Sequence, residues 1–258
     1  MQKEETKFQS STVFEGMTSI RAVIKAIDEN ISDRQIEKIY FDAAKIAKIS
    51  KEVGYFKAVS SIYGFELVES TEEELEKMTT GNSYGGIICA CSERTIPTLS
   101  DDDIDSGKFF VMLQGIEDPY NFGYALRSLY ASGVDGVILP ERNWMSAAGV
   151  VARSSAGASE LLRMYKSDAD IAVEYFKSKG FTVVCADENT DNVLGECALP
   201  FPIFLIIGGE KRGISRSVLN KADKLVKINY AREFRASLSA ASAATMFGYE
   251  IMRQNSKK

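Results

Sequence analysis

Three segments of this 258-residue chain bring together residue types able to hold a small polar ligand and act on a second molecule. In the first, Asp118-Pro119 marks a turn after the apolar run Phe109–Leu113. Asn121 then reads as the N-cap of a helix that Gly133 stops, because an Asn side chain accepts a free amide and glycine tolerates a left-handed exit. Arg127 lies in that helix beside Ala125, Leu126 and Leu129. Its guanidinium must face solvent or an anion, since burying it unpaired is costly. In the second segment, Gly208, Gly209, Glu210, Lys211, Arg212 and Gly213 follow the apolar run Ile203–Ile207. Glycines at a strand end let the backbone approach a ligand, although a Gly-Gly pair also suits an ordinary tight turn. The spacing matches neither a Walker A loop nor a dinucleotide fingerprint. In the third, Arg232 and Arg235 separate the apolar run Leu225–Ile228 from a helix expected to start near Ser237 and rich in small residues, Ser239 to Ala244 and Gly248.

The composition narrows the chemistry. The chain has no histidine, which excludes Ser-His-Asp and Cys-His nucleophiles and His-ligated zinc. Cys89, Cys91, Cys185 and Cys197 lack C-x-x-C spacing and read as reduced thiols, with no metal site expected. Any catalysis must draw on other groups or on a cofactor. The polar N-terminus lacks an apolar signal core, and no apolar run is long enough for a membrane span, so a cytoplasmic protein is expected.

The net charge of −5 is unevenly spread. Residues 61–105 carry 2 Lys and Arg against 11 Asp and Glu, whereas residues 205–258 carry 11 against 4. A basic C-terminal fifth can meet phosphate despite the overall sign, although a solvated helix face gives the same count.

The elements that must position these residues follow from periodicity. Ile20, Val23, Ile24 and Ile27 fall at helical spacing. Lys38–Phe41 reads as a strand, Ala43–Val53 as a helix, Phe65–Val68 as a strand, Thr71–Met78 as a helix capped by Ser70, and Gly85–Cys91 as a buried strand. This describes a small α/β domain over residues 1–94. An acidic stretch with Pro97 and Gly107 reads as a linker over residues 95–107. Over residues 108–258, strand-length apolar runs at Phe109–Leu113, Gly136–Leu139, Phe181–Ala186, Ile203–Ile207 and Leu225–Ile228 alternate with helices such as Asp168–Lys179, stopped by Gly180. That pattern predicts a mostly parallel sheet covered on both faces, with ligands at the carboxyl ends of its strands.

In this order, the three segments resemble the signature of the SpoU/TrmH family of RNA ribose methyltransferases, in the SPOUT superfamily. Asp118, Pro119, Asn121, Gly123 and Arg127 match its D-P-x-N-x-G-x-x-x-R motif. Gly208, Glu210 and Gly213 match G-x-E-x-x-G, and Ser237 and Leu238 match the start of S-L-N, with Ser239 standing where the family has Asn. Ser154–Glu160 resembles the family's S-A-G-A stretch, and the N-terminal part resembles its ribosomal-protein-like substrate-binding domain.

The resemblance implies a trefoil-knotted C-terminal domain and a homodimer that takes S-adenosylmethionine and methylates a ribose 2′-hydroxyl of ribosomal or transfer RNA. It assigns the cofactor to Gly208, Gly209, Glu210, Gly213, Ile228, Ser237, Leu238 and Ser239. Catalytic roles fall to Arg127, Asn121, Glu210 and Ser237, and RNA contacts to Arg127, Arg232 and Arg235. A protein of the same fold that binds RNA without transferring methyl groups is the alternative.

Overall fold

The computed structural model describes residues 12–79, 84–100, 104, 107–209, 211–233 and 236–256. In chain order, the elements are β1 (Val13–Glu15), α1 (Gly16–Asp28), β2 (Ile36–Asp42), α2 (Ile46–Tyr63), β3 (Glu66–Ser70), α3 (Glu72–Met78), β4 (Ile87–Cys91), β5 (Phe109–Gln114), α4 (Pro119–Ala131), β6 (Gly136–Leu139), α5 (Ala148–Ser154), α6 (Ala158–Leu161), β7 (Arg163–Lys166), α7 (Ala169–Ser178), β8 (Thr182–Ala186), β9 (Ile203–Gly208), α8 (Arg216–Lys221), β10 (Lys224–Val226) and α9 (Ala240–Asn255).

The chain divides into two compact units, and the division is not linear. Residues 1–95 and 144–161 form one; residues 96–143 and 162–258 form the other. The sequence pattern places 144–161 within the range 108–258, but its contacts lie with the first unit. The physical reason is a buried polar seam. Arg34 donates from Nε to Glu160 Oε2 at 2.8 Å and from Nη1 to the Ser92 carbonyl at 2.8 Å. The Arg34 and Glu160 side chains are 2% and 0% exposed, and the guanidinium lies 4.8 Å from the Phe14 ring centroid. Arg94 donates to the Ser159 and Ile31 carbonyls, and Arg153 pairs with Glu15 at 3.0 Å. The expected linker falls partly at 101–103 and 105–106, outside the described residues. Its described part is not free-running: Leu99 N–H donates to the Lys166 carbonyl and Lys166 N–H to the Pro97 carbonyl.

In the first unit the sheet order is β1-β4-β2-β3. β4 runs antiparallel to β1 and β2, and β2 runs parallel to β3. Thr71, not Ser70, caps α3 in a capping box with Glu74; Ser70 instead ends β3, where it pairs with Asp42.

In the second unit six strands in the order β10-β8-β9-β5-β6-β7 all run parallel, as continuous apolar strands require when both faces are covered. Phe176 of α7 stacks on Phe204 of β9 with centroids 4.1 Å apart, at the centre of a cluster with Phe110, Phe181 and Val183. Gly133 and Gly180 follow α4 and α7 at φ +78 and +81. Two boundaries shift from the periodicity. Lys224–Val226 is shorter than the apolar run, which leaves Ile228 beyond the strand, and the last helix begins at Ala240. β7 and α8 carry little apolar contrast and are visible only in the structure.

Candidate functional site

The loops leaving β8, β9 and β10 and the first turns of α9 enclose a cavity of about 480 Å³ in the second unit. It lies at the carboxyl ends of these parallel strands, where the open edge of such a sheet leaves room for ligands. Gly208, Gly209 and Gly213 form one wall and Ile228, Ser237 and Leu238 another; Ile207, Ile214, Val226 and Phe247 add apolar side chains to a lining of mixed polarity.

Steric need explains the glycines. The loop after β9 doubles back, with Gly213 N–H donating to the Gly209 carbonyl at 3.0 Å. A Cβ at Gly208 would lie 2.6 Å from the Gly213 carbonyl carbon, and one at Gly209 would overlap the Gly115 carbonyl oxygen. Gly213 has φ +58, which L side chains disfavour. At Gly208, Gly209 and Gly213 the wall is therefore bare main chain, with no side chain able to intrude from these three positions.

Along the wall after β10, Tyr230 Oη accepts the Leu238 N–H at 3.2 Å and closes the loop. Ser239 is the N-cap of α9, its hydroxyl accepting from Ser242 N–H at 3.2 Å. Ser and Asn are comparable caps, so the serine at the family's Asn position keeps the helix start. The small residues of α9 serve the approach of α4. Thr245 Oγ1 donates to Ser128 Oγ at 2.6 Å, and a Cβ at Gly248 would lie 2.9 Å from Ser132 Oγ.

The structure distributes the other expected residues elsewhere. Asn121 is not the cap of α4: Asp118 is, accepting from Asn121 N–H at 2.7 Å, with Pro119 in the first turn. Proline already presets the dihedral of that position, so the cap falls on the residue before it. Asn121 is half-buried and outside the cavity lining. Arg127 is exposed and also outside the lining. It shares a stripe of α4 with Tyr120 and Tyr124, 43% and 49% exposed, at i, i+4 and i+7. Arg232 is exposed on the loop after β10. Glu210 and Arg235 lie outside the described residues.

Sequence reasoning missed the wall after β8, Ala186–Asn189. Its only signal was position, just past the apolar run Phe181–Ala186. Burial, and then Asp187, push the Cys185 thiol beneath it up to about 12, so this cysteine stays protonated and is no nucleophile. Among the described residues no group of His, Cys, Asp or Glu could hold a metal ion, and no helix is long and apolar enough to cross a membrane.

Comparison with known proteins places this geometry. The model of the SpoU rRNA Methylase family matches residues 108–249. A protein of Staphylococcus haemolyticus assigned to the TrmH family of tRNA/rRNA methyltransferases is 34% identical over 145 residues, 56% of this chain and 58% of that protein. YacO of Bacillus subtilis, assigned to the same family, is 26% identical over 86% of this chain and 90% of its own length. A solved structure described as an RNA 2′-O ribose methyltransferase superposes with TM-score 0.77 at 21% identity, covering 94% of this chain and 88% of that one. The SpoU methyltransferase AviRb from Streptomyces viridochromogenes, solved with AdoMet, gives 0.76 at 21% identity, with 96% of each chain covered.

Proposed function

The chain belongs to the SpoU rRNA methylase family, and from that premise we propose that it transfers a methyl group from S-adenosylmethionine to a ribose 2′-hydroxyl of ribosomal or transfer RNA. The observation that carries this reading is the cavity. It joins the loops after β9 and β10, which hold the second and third motifs, around a lining that combines apolar side chains, polar groups and bare glycine backbone. That donor set fits an adenosyl group: a flat base between apolar side chains, with main-chain amides and carbonyls facing its polar edge. Gly208, Gly209, Gly213, Ile228, Ser237 and Leu238 would hold it, and Glu210 and Ser239 belong to the same loops. A knotted threading of these loops is part of the reading.

When bound, S-adenosylmethionine supplies a methyl group already activated on a sulfonium. What remains for the protein is alignment, worth roughly 7–11 kcal/mol in favourable systems, and help with the hydroxyl proton. A guanidinium offers only N–H donors and no acceptor, so Arg127 acts as a cationic donor and not as a general base. Its guanidinium forks onto an RNA phosphate and stabilises the negative charge developing on the ribose oxygen, while water takes the proton. Asn121 and Ser237 hold the loops that frame the reacting groups. Arg232 and Arg235 meet RNA phosphates.

Arg127 lies outside the cavity of its own subunit. It shares an exposed face with Tyr120 and Tyr124, and Met246 and Tyr249 of α9 are exposed as well, at 43% and 58%. A homodimer that covers this face brings Arg127 of one subunit toward the cavity of the other.

The test is transfer of tritiated methyl from S-adenosylmethionine to total RNA of a deletion strain, followed by mapping. Label on one ribose 2′-oxygen is the expected result. Label on a base overturns the ribose assignment, and binding of RNA without transfer supports the inactive alternative.

A further inference from the structure

We infer that Glu188 reads the ribose of the adenosyl group, its carboxylate accepting from the 2′- and 3′-hydroxyls; the inference rests on the proposed reading of the cavity as an adenosylmethionine pocket. The cavity walls differ in chemistry. The loops after β9 and β10 present glycine backbone, the apolar Ile214, Ile228 and Leu238, and neutral or cationic groups such as Asn229 and Lys227, with no carboxylate among their described lining residues. The wall after β8 presents Asp187, Glu188 and Asn189.

Two of these three are committed to the wall itself. Asp187 Oδ1 accepts from Asn189 N–H at 2.8 Å and from Asn189 Nδ2 at 3.1 Å, and Asp187 N–H donates to the Val226 carbonyl at 3.1 Å. Glu188 is exposed, and among the described residues its carboxylate has no ion pair or hydrogen bond. The wall that carries it is fixed to β10. Thr190 Oγ1 and Asn192 Nδ2 both donate to the Leu225 carbonyl, at 3.1 and 3.0 Å. Lys227 N–H donates to the Asn192 carbonyl at 2.9 Å, and Leu194 N–H to the Lys227 carbonyl at 2.8 Å. A carboxylate at the mouth of a cavity on so braced a loop is placed before the ligand arrives.

The chemistry selects the ribose. An ionised carboxylate only accepts hydrogen bonds, and its two oxygens can take two donors. Apart from its base, the ligand offers two kinds of donor, the ribose diol and the α-ammonium. A vicinal diol sets two hydroxyl donors side by side, one for each carboxylate oxygen, whereas an ammonium is a strongly hydrated point charge that gains little from a carboxylate at an exposed position such as Glu188.

The experiment is calorimetric titration of the full chain with S-adenosylhomocysteine and with its 2′,3′-dideoxyribose analogue, for the wild type and Glu188→Gln. Thermal melting of both proteins confirms the fold. Wild-type protein should bind the natural ligand about tenfold or more tightly than Glu188→Gln does, in line with a hydrogen bond to a charged group. The dideoxy analogue should not distinguish the two proteins. Equal affinity of wild type and variant for S-adenosylhomocysteine overturns the inference and leaves the pocket reading standing. An equal loss for both ligands also overturns it, since the carboxylate then acts elsewhere. Absence of any wild-type binding overturns the pocket reading itself, and the role of Glu188 with it.

Discussion

Gly209 faces the main chain of Gly115 so closely that a methyl group at position 209 would overlap the Gly115 carbonyl oxygen. Gly209 N–H also donates to the Gln114 carbonyl at 2.6 Å. The loops after β5 and β9, which hold the first and second motifs, are thus packed backbone to backbone. Gly209→Ala must push them apart. The expected cost is about 1–3 kcal/mol of stability, as for other overpacked sites, together with weaker binding of S-adenosylhomocysteine. Denaturant unfolding and calorimetry measure the two effects, and a variant as stable as wild type contradicts this packing.

The buried pair Arg34–Glu160 is expected to be worth little as a pair and much as a liability. Glu160→Leu or Arg34→Met alone leaves one charge buried without its partner, which costs about 3–5 kcal/mol. The double substitution Arg34→Met with Glu160→Leu should recover much of that loss, because a well-packed apolar pair avoids the desolvation penalty. Unfolding in urea, read for the two single variants and the double, gives the coupling directly.

Ser239 stands where the S-L-N motif carries Asn. Ser239→Ala removes the cap of α9 and should cost about 1 kcal/mol. Ser239→Asn should leave stability within a few tenths of that of wild type, since either side chain accepts the Ser242 amide. If Ser239→Asn raises methyl transfer sharply while stability stays level, then Asn serves the family in the reaction as well as in the helix.

Thiol titration should follow burial. Cys89, Cys91 and Cys185 are buried and Cys197 is half-exposed. At pH 8 an aromatic disulfide reagent should modify one thiol quickly in the native protein and all four in denaturant. Fast modification of a second thiol would show that one of the strands opens.

Acid should weaken the end of α9. The two Arg253 N–H bonds at 2.7 Å hold the Glu250 carboxyl below its ordinary value, with Gln254 also donating. The unfolded chain therefore takes up the proton more readily. This contribution is complete above the ordinary carboxylate pKa of about 4.3 and is lost as pH falls through the lower folded value. Between pH 6 and pH 3 the melting temperature of wild type should fall further than that of Glu250→Gln.

The sheet of the second unit was legible because buried parallel strands are written as unbroken apolar runs: Phe109–Leu113 and Ile203–Ile207 stand within a residue of β5 and β9. The glycine wall of the cavity was legible for a different reason, since Gly208 and Gly209 follow such a run directly. What escaped was set by contacts distant in sequence. The cap of α4 is the exception: its signal is local, since Pro119 leaves the preceding Asp118 to accept the Asn121 amide. Nothing local says that Asp187–Asn189 forms a wall, because that depends on hydrogen bonds to Leu225 and Lys227. Similarly, Glu160 looks like any surface carboxylate until Arg34, 126 positions earlier, is found against it.

The excursion of residues 144–161 also sets a timetable for the nascent chain. Domains commonly begin to fold from the N-terminal end as they leave the ribosome, but here the earliest-made unit stays incomplete until Glu160 has emerged. By then β5, α4 and β6 have already been synthesised. A fragment cut after Thr95 should expose the surface that α5 and α6 cover. Transplanting this module into another protein requires two stretches of sequence, not one.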